Sequence, residues 1–271
     1  MSSGITSEIG IRPADARAEG APGSLAALEA AVARLTAAAL ELREDTSPWA
    51  VSRREEAADR AVDLLAARAW RALPTASHGQ ADVAARRCVS YTLAEDAASA
   101  AEGGGTDPAT PHRLAAHALL LLTLAEHFDA ATLRARDLLG PIPEGRLLAA
   151  WRMVDQALLT LSTTRHEWVG AEPGVVAAAG WVLVDRVGRL LTGAALVAQA
   201  AERTRDAEAV PPESADGTRA ATAELLVNAA RRYAWNHLRG PAPEAATPTH
   251  IRRSTELVRA LAPAAGDKGS P

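Results

Sequence analysis

Between Val175 and about Arg205 the chain places apolar residues on nearly every side of a helix, through Trp181, Val182, Leu183, Val184, Val187, Leu190, Leu191, Leu196 and Val197. A helix that is apolar all round either lies at the centre of a protein or spans a membrane. Asp185, Arg186 and Arg189 sit at its middle, and on insertion scales each charge costs roughly 2.5–3.5 kcal/mol at the centre of a bilayer. The segment therefore reads as the central helix of a soluble bundle, with no membrane partner.

The flanking sequence supplies helices to surround it. Of 271 residues, 48% are hydrophobic but only 3% aromatic. The apolar surface is mostly alanine and leucine, which favour helix, while the β-branched and aromatic residues that strands prefer are scarce. Leu25, Leu28, Val32, Leu35, Ala39 and Leu42 alternate spacings of three and four on one stripe. Ser47-Pro48 is an N-cap followed by a proline where a missing N–H costs nothing, opening a helix that continues from Val51 to Leu73. Further helices are expected from about Gln80 to Ala101, His112 to Leu139, Arg146 to His166, Thr218 to Leu238 and His250 to Leu261, bounded by glycine and proline. The short Pro141–Gly145 connection implies antiparallel neighbours. The expected fold is an all-α, single-domain bundle of about seven or eight helices over residues 25–262, with a disordered arm at 1–24 and a disordered tail at 263–271.

Bulk charge removes partner classes. A formal net charge of −4 is not the footprint of a general nucleic-acid binder. Lys268 is the only lysine among many arginines, a usage that reads as the drift of a GC-rich bacterial genome. The only cysteine, Cys88, excludes an intramolecular disulfide and a multi-cysteine metal site. Met1–Gly10 shows no basic region followed by an apolar stretch, so a cytoplasmic protein is expected.

No glycine-rich phosphate loop, H-E-x-x-H, paired E-x-x-H, D-D-x-x-D or G-x-S-x-G motif is present. Chemistry is left to single polar residues on apolar faces. His117 lies between Leu114 and Leu121 and would point an imidazole into an interior seam, as a general base or as a hydrogen-bonded core residue. Asp185 and Arg189, at i and i+4 on the central helix, form either a structural ion pair or the polar end of a cavity. Asp155 beside the Trp151/Leu158 stripe is a weaker version of the same pattern. Cys88 and Tyr91, three apart, read as packing or as a pocket wall. Glu126, His127 and Asp129 share a turn, but His127 diverges from the two acids, so the group reads as a solvated face with no metal. The dispersed tryptophans suggest core or helix-end anchors, and the arginine-rich C-terminal third a solvated face with intrachain partners.

The stretch Ala131–Asp155, ATLRARDLLGPIPEGRLLAAWRMVD, resembles the helix-turn-helix in the C-terminal helical domain of acyl-CoA dehydrogenases. There an arginine precedes a phenylalanine-glycine turn and an isoleucine, positions near Arg136, Leu139, Gly140 and Ile142. Leucine replaces the aromatic residue, the isoleucine comes one position early, and the glutamine of the second helix is absent. The resemblance implies that Arg136 would help hold the pyrophosphate of FAD; without it no cofactor is expected. Abundant apolar helix faces without a catalytic motif point to a binding protein, for a protein partner or a small apolar molecule, and a homo-oligomer is compatible with this. The alternative is a helical enzyme, a reduced acyl-CoA dehydrogenase-like protein acting on an acyl or other small molecule through His117 or the Asp185/Arg189 pair.

Overall fold

A computed structural model describes residues 22–73, 80–100, 109–209 and 217–239, and every regular element among them is helical. Nine α-helices follow in order: α1 Pro22–Glu41, α2 Pro48–Arg71, α3 Gln80–Ala100, α4 Ala109–Leu122, α5 Ala125–Leu139, α6 Leu148–Thr163, the single-turn α7 Arg165–Trp168, α8 Pro173–Glu208 and α9 Gly217–Tyr233. A 3-10 turn, Gly145–Leu147, leads into α6, and a π-helical turn, Ala234–Leu238, extends α9.

The segment that is apolar all round becomes α8, the axis of the bundle. It packs against α2, α3, α4, α5, α6 and α9, which is why it needs apolar residues on every side. Leu183, Val184, Val187, Leu190, Leu191, Leu196 and Val197 are all buried, and around them close Phe128 of α5, Leu158 of α6 and Trp168 of α7. Gly188 marks the closest approach. A Cβ there would stand 2.7 Å from the Cys88 carbonyl oxygen and against the Thr92 hydroxyl of α3. A smaller cluster lies beside this core, where Leu25, Leu28 and Val32 of α1 meet Leu64 and Ala67 of α2 and Ala97 of α3. The first sequence stripe thus covers one flank of the bundle. Among the described residues no helix is long and apolar enough to cross a membrane.

Local chemistry sets the ends that the sequence marks. Ser47 Oγ accepts from the Ala50 N–H at 3.2 Å with Pro48 in the first turn of α2. The Arg54 guanidinium donates to the Leu42 and Asp45 carbonyls just past the end of α1. Gly140 closes α5 at φ 61°, a conformation glycine adopts without the penalty a Cβ brings.

Some boundaries differ from the expected ones. The helix expected over His112–Leu139 is two, broken at Thr123-Leu124, where Leu124 is extended at φ −87° and ψ 127°. No glycine or proline marks this break. The Thr123 carbonyl at the break accepts from the Gly170 N–H at 3.3 Å, a partner from the α7–α8 connection. The helix expected over Arg146–His166 starts with the 3-10 turn and stops at Thr163, leaving α7 separate. The arm expected over 1–24 loses its last three residues to α1, while 1–21, the helix expected at His250–Leu261 and the tail 263–271 lie outside the described residues.

Candidate functional site

Five elements converge on a buried polar network. Arg189 of α8 donates Nη1 to Asp96 Oδ2 at 2.8 Å and Nη2 to Asp96 Oδ1 at 2.6 Å. This two-pronged contact joins side chains only 11% and 4% exposed. Asp185, one turn earlier, reaches Arg189 Nε at 3.3 Å and is 35% exposed. The Tyr233 hydroxyl of α9 lies 2.6 Å from Thr192 Oγ1 and 3.4 Å from the Arg189 carbonyl oxygen, to which it donates. On the other side His237 Nε2 is 2.6 Å from Asp63 Oδ1 of α2, whose Oδ2 accepts from Arg60 at 3.3 Å. The Tyr233 and His237 rings lie 4.6 Å apart.

Charge follows from burial and pairing. Burial works against the Arg189 guanidinium, but the Asp96 carboxylate, Tyr233 and Asp185 outweigh it and hold the group protonated well above the ordinary arginine range. Burial pushes Asp96 up, Asp63 adds to this, and Arg189 pulls the other way. We assign an ionised carboxylate facing a guanidinium, because two short parallel N–H···O bonds require acceptor oxygens on both prongs. The two tyrosines of the chain border the network. Burial raises both phenols above their usual range, with Glu95 and Asp185 adding to the effect at Tyr91.

The π-helical turn supplies the reach. Arg239 N–H donates to the Ala234 carbonyl at 2.9 Å, five residues back, and the wider turn lets the sequence neighbours Asn236 and His237 both reach α2. There Glu55, Asp59 and Asp63 form a stripe at intervals of four. Arg232 takes Glu55 and Asp59, Asn236 takes Asp59 at 2.6 Å, and His237 takes Asp63. The network is therefore a seam that fixes α9 to α2, and its buried acceptors and donors are committed to one another.

An open site lies elsewhere. The end of α5, the Gly140–Leu147 connection, the last third of α8 and the middle of α9 surround a groove of about 840 Å³, within the roughly 300–1,000 Å³ of small-molecule sites. Its apolar surface comes from Leu138, Leu139, Ile142, Ala198, Ala201 and Val227, and its polar surface from Glu144, Arg146, Thr204, Arg205, Glu208 and Glu224. Arg146 donates to Glu224 at 3.0 Å and to Asn228 at 2.7 Å, pinning the connection to α9. Among the described residues Glu144 and Glu208 have no ion-pair partner, and both are exposed. No family model matches this chain, and no curated protein or solved structure matches it.

Of the sequence candidates, Asp185 and Arg189 meet in the network, with Asp96 rather than Asp185 as the principal partner. Tyr91 borders it. Cys88 is fully buried on α3, and burial pushes its thiol up. Arg136 is exposed on α5 and stands outside the groove lining, and Asp155 is half-buried on α6. His117 lies on α4, but its side chain falls outside the described residues. The solvated face expected of residues 126–129 holds for the two acids only. Glu126 is 77% exposed and Asp129 pairs with Arg165, whereas His127 is buried with Nδ1 3.2 Å from the Leu121 carbonyl oxygen. Among the described residues no three His, Cys, Asp or Glu side chains gather as metal ligands. The tryptophans divide, with Trp168 fully buried and Trp49, Trp181 and Trp235 more than half exposed.

Motif and periodicity do not single out Asp63, Asp96, Tyr233 or His237. A signal for two of them exists. An arginine inside an apolar helix needs a fixed carboxylate, and Asp63 and Asp96 are the acids set within the buried faces of α2 and α3.

Proposed function

We propose that this is a cytoplasmic bacterial binding protein that holds a small apolar ligand in the groove between α5, α8 and α9. The observation that supports this reading is the groove's size together with its composition, a lining more apolar than polar in surface, while the interior network has its own groups already paired. A stabiliser of the folded state raises the melting temperature by mass action. The test is a thermal-shift screen of small apolar compounds against the wild type and Ile142→Ser, a change at a residue 66% exposed that the fold tolerates. Compounds that shift the wild type and not the variant support the reading. Failure of every compound to shift the wild type refutes it.

A second reading, a helical enzyme, is favoured by one feature. His237 and the buried Asp63 have the geometry of a base and its orienting carboxylate. Under this reading the resemblance to acyl-CoA dehydrogenases assigns Arg136 to FAD, yet Arg136 is exposed on α5 and lies outside the groove lining. We derive no step through a flavin. A flavin spectrum in the purified protein, and an activity lost in His237→Gln, are the observations that would favour the enzyme.

A further inference from the structure

The groove carries a charge pattern that selects among apolar ligands. We infer that it takes an amphiphile with a single cationic head, of the alkylammonium class; this rests on the groove being the binding site. Two helices end on the groove, α5 through Leu138 and Leu139 and α8 through Arg205 and Glu208. The last carbonyls of a helix have no intrahelical partner and carry about half a negative charge together.

Side chains add to the same sign. Arg146 and Glu224 neutralise each other. That leaves Glu144 and Glu208 against Arg205, whose Nε already donates to the Ala201 carbonyl at 3.4 Å. Among the described lining residues one carboxylate thus remains in excess beside an apolar lining and the end of α5. An ammonium with hydrogens to donate satisfies both, an alcohol satisfies only the carbonyls, and a carboxylate is repelled.

Isothermal titration of the full chain with 1-octylamine, 1-octanol and octanoate at neutral pH tests this. Three ligands of one length share the apolar contribution, so differences report the head group. We expect the ammonium to bind about two- to fivefold tighter than the alcohol, the range an exposed ion pair supports, and the carboxylate to bind weakest. Glu144→Gln/Glu208→Gln brings the ammonium down to the alcohol and leaves the alcohol unchanged. The charge control Glu41→Gln/Glu44→Gln, on exposed residues outside the groove, keeps the preference. An alcohol or carboxylate that binds as tightly as the ammonium, or a preference that survives the Glu144/Glu208 change, overturns the inference and leaves the groove reading intact. Binding of none of the three, or equal binding by Ile142→Ser, overturns both.

Discussion

Replacing Arg189 by methionine removes the charge that faces Asp96 while keeping most of the stem volume. Asp96 is buried and both its oxygens lose their donors. A carboxylate stranded in that position can escape by taking up a proton, and this sets the size of the effect. At pH 7, protonating an acid whose unfolded pKa is about 3.9 costs about 1.4 kcal/mol for each of about three pH units, or roughly 4 kcal/mol. The figure agrees with the roughly 3–5 kcal/mol seen when one partner of a buried pair is removed. The protonated acid has a folded pKa above its unfolded value, so the loss is smallest at low pH and grows as pH rises. Relative to wild type, the destabilisation of Arg189→Met should shrink by about 1.4 kcal/mol per unit between pH 7 and pH 5. Urea unfolding at several pH values measures it, with a melting-temperature drop of about 8–16 °C at pH 7 as a second reading. The double variant Asp96→Leu/Arg189→Met should recover most of the loss, since an apolar pair fills the same space without desolvating ions. A single-variant loss below about 1 kcal/mol at pH 7, or one that does not change with pH, would falsify the assignment of an ionised buried pair.

Gly188→Ala should lose about 1–3 kcal/mol in the same unfolding assay, because its methyl meets the Cys88 carbonyl oxygen at 2.7 Å and backbone must move; an unchanged midpoint would show that α3 and α8 are less tightly apposed. Cys88 is fully buried with its thiol pushed up by burial, so a thiol reagent at mildly alkaline pH should label the protein only in denaturant, and rapid native labelling would contradict the packing. Both tyrosines have folded pKa values raised by burial, so their contribution to stability is present below the ordinary phenol value of about 10 and is lost as pH rises beyond it. Ultraviolet titration should show little tyrosinate at pH 10 until the chain unfolds; half-ionisation there in the folded state would refute burial of the phenols.

The fold is written into short-range pattern, and the site is not. The stripe Leu25–Leu28–Val32, the Ser47-Pro48 cap and the Gly140-Pro141 stop each depend on residues within a turn or two, and each lies where expected. Residues 123–124 show the limit. Thr123 and Leu124 are ordinary helix residues, and the carbonyls at the break are taken by the distant Gly170 N–H on Thr123, by the His127 ring on Leu121 and by the Thr123 hydroxyl on Leu120. The network fails to show for the same reason. Asp185 and Arg189 are visible as a pair because they share a helix, but Asp96 is 93 residues from Arg189 and Asp63 is 174 from His237. Periodicity identifies a buried face, and it does not say which polar residue on another face will meet it.

The two polar regions of this bundle differ in what they leave unsatisfied, and the proposed roles follow that difference. In the interior seam Asp63, Asp96, Arg189, Thr192 and Tyr233 all have protein partners at hydrogen-bond distance. A ligand entering there would have to break charge-assisted bonds and replace each in kind, which costs a buried group its full desolvation. Glycines on the axis bring such groups close, because Gly188 of α8 lies against Cys88 and Thr92 of α3 and Gly193 against Tyr233 and Leu238. At the groove the opposite holds. Helix ends do not pack as helix sides do, since their last carbonyls need solvent, a cap or a ligand, and the Gly140–Leu147 connection holds two such ends apart with Arg146 clamped to α9. On the proposed function, recognition falls to the place where helices stop.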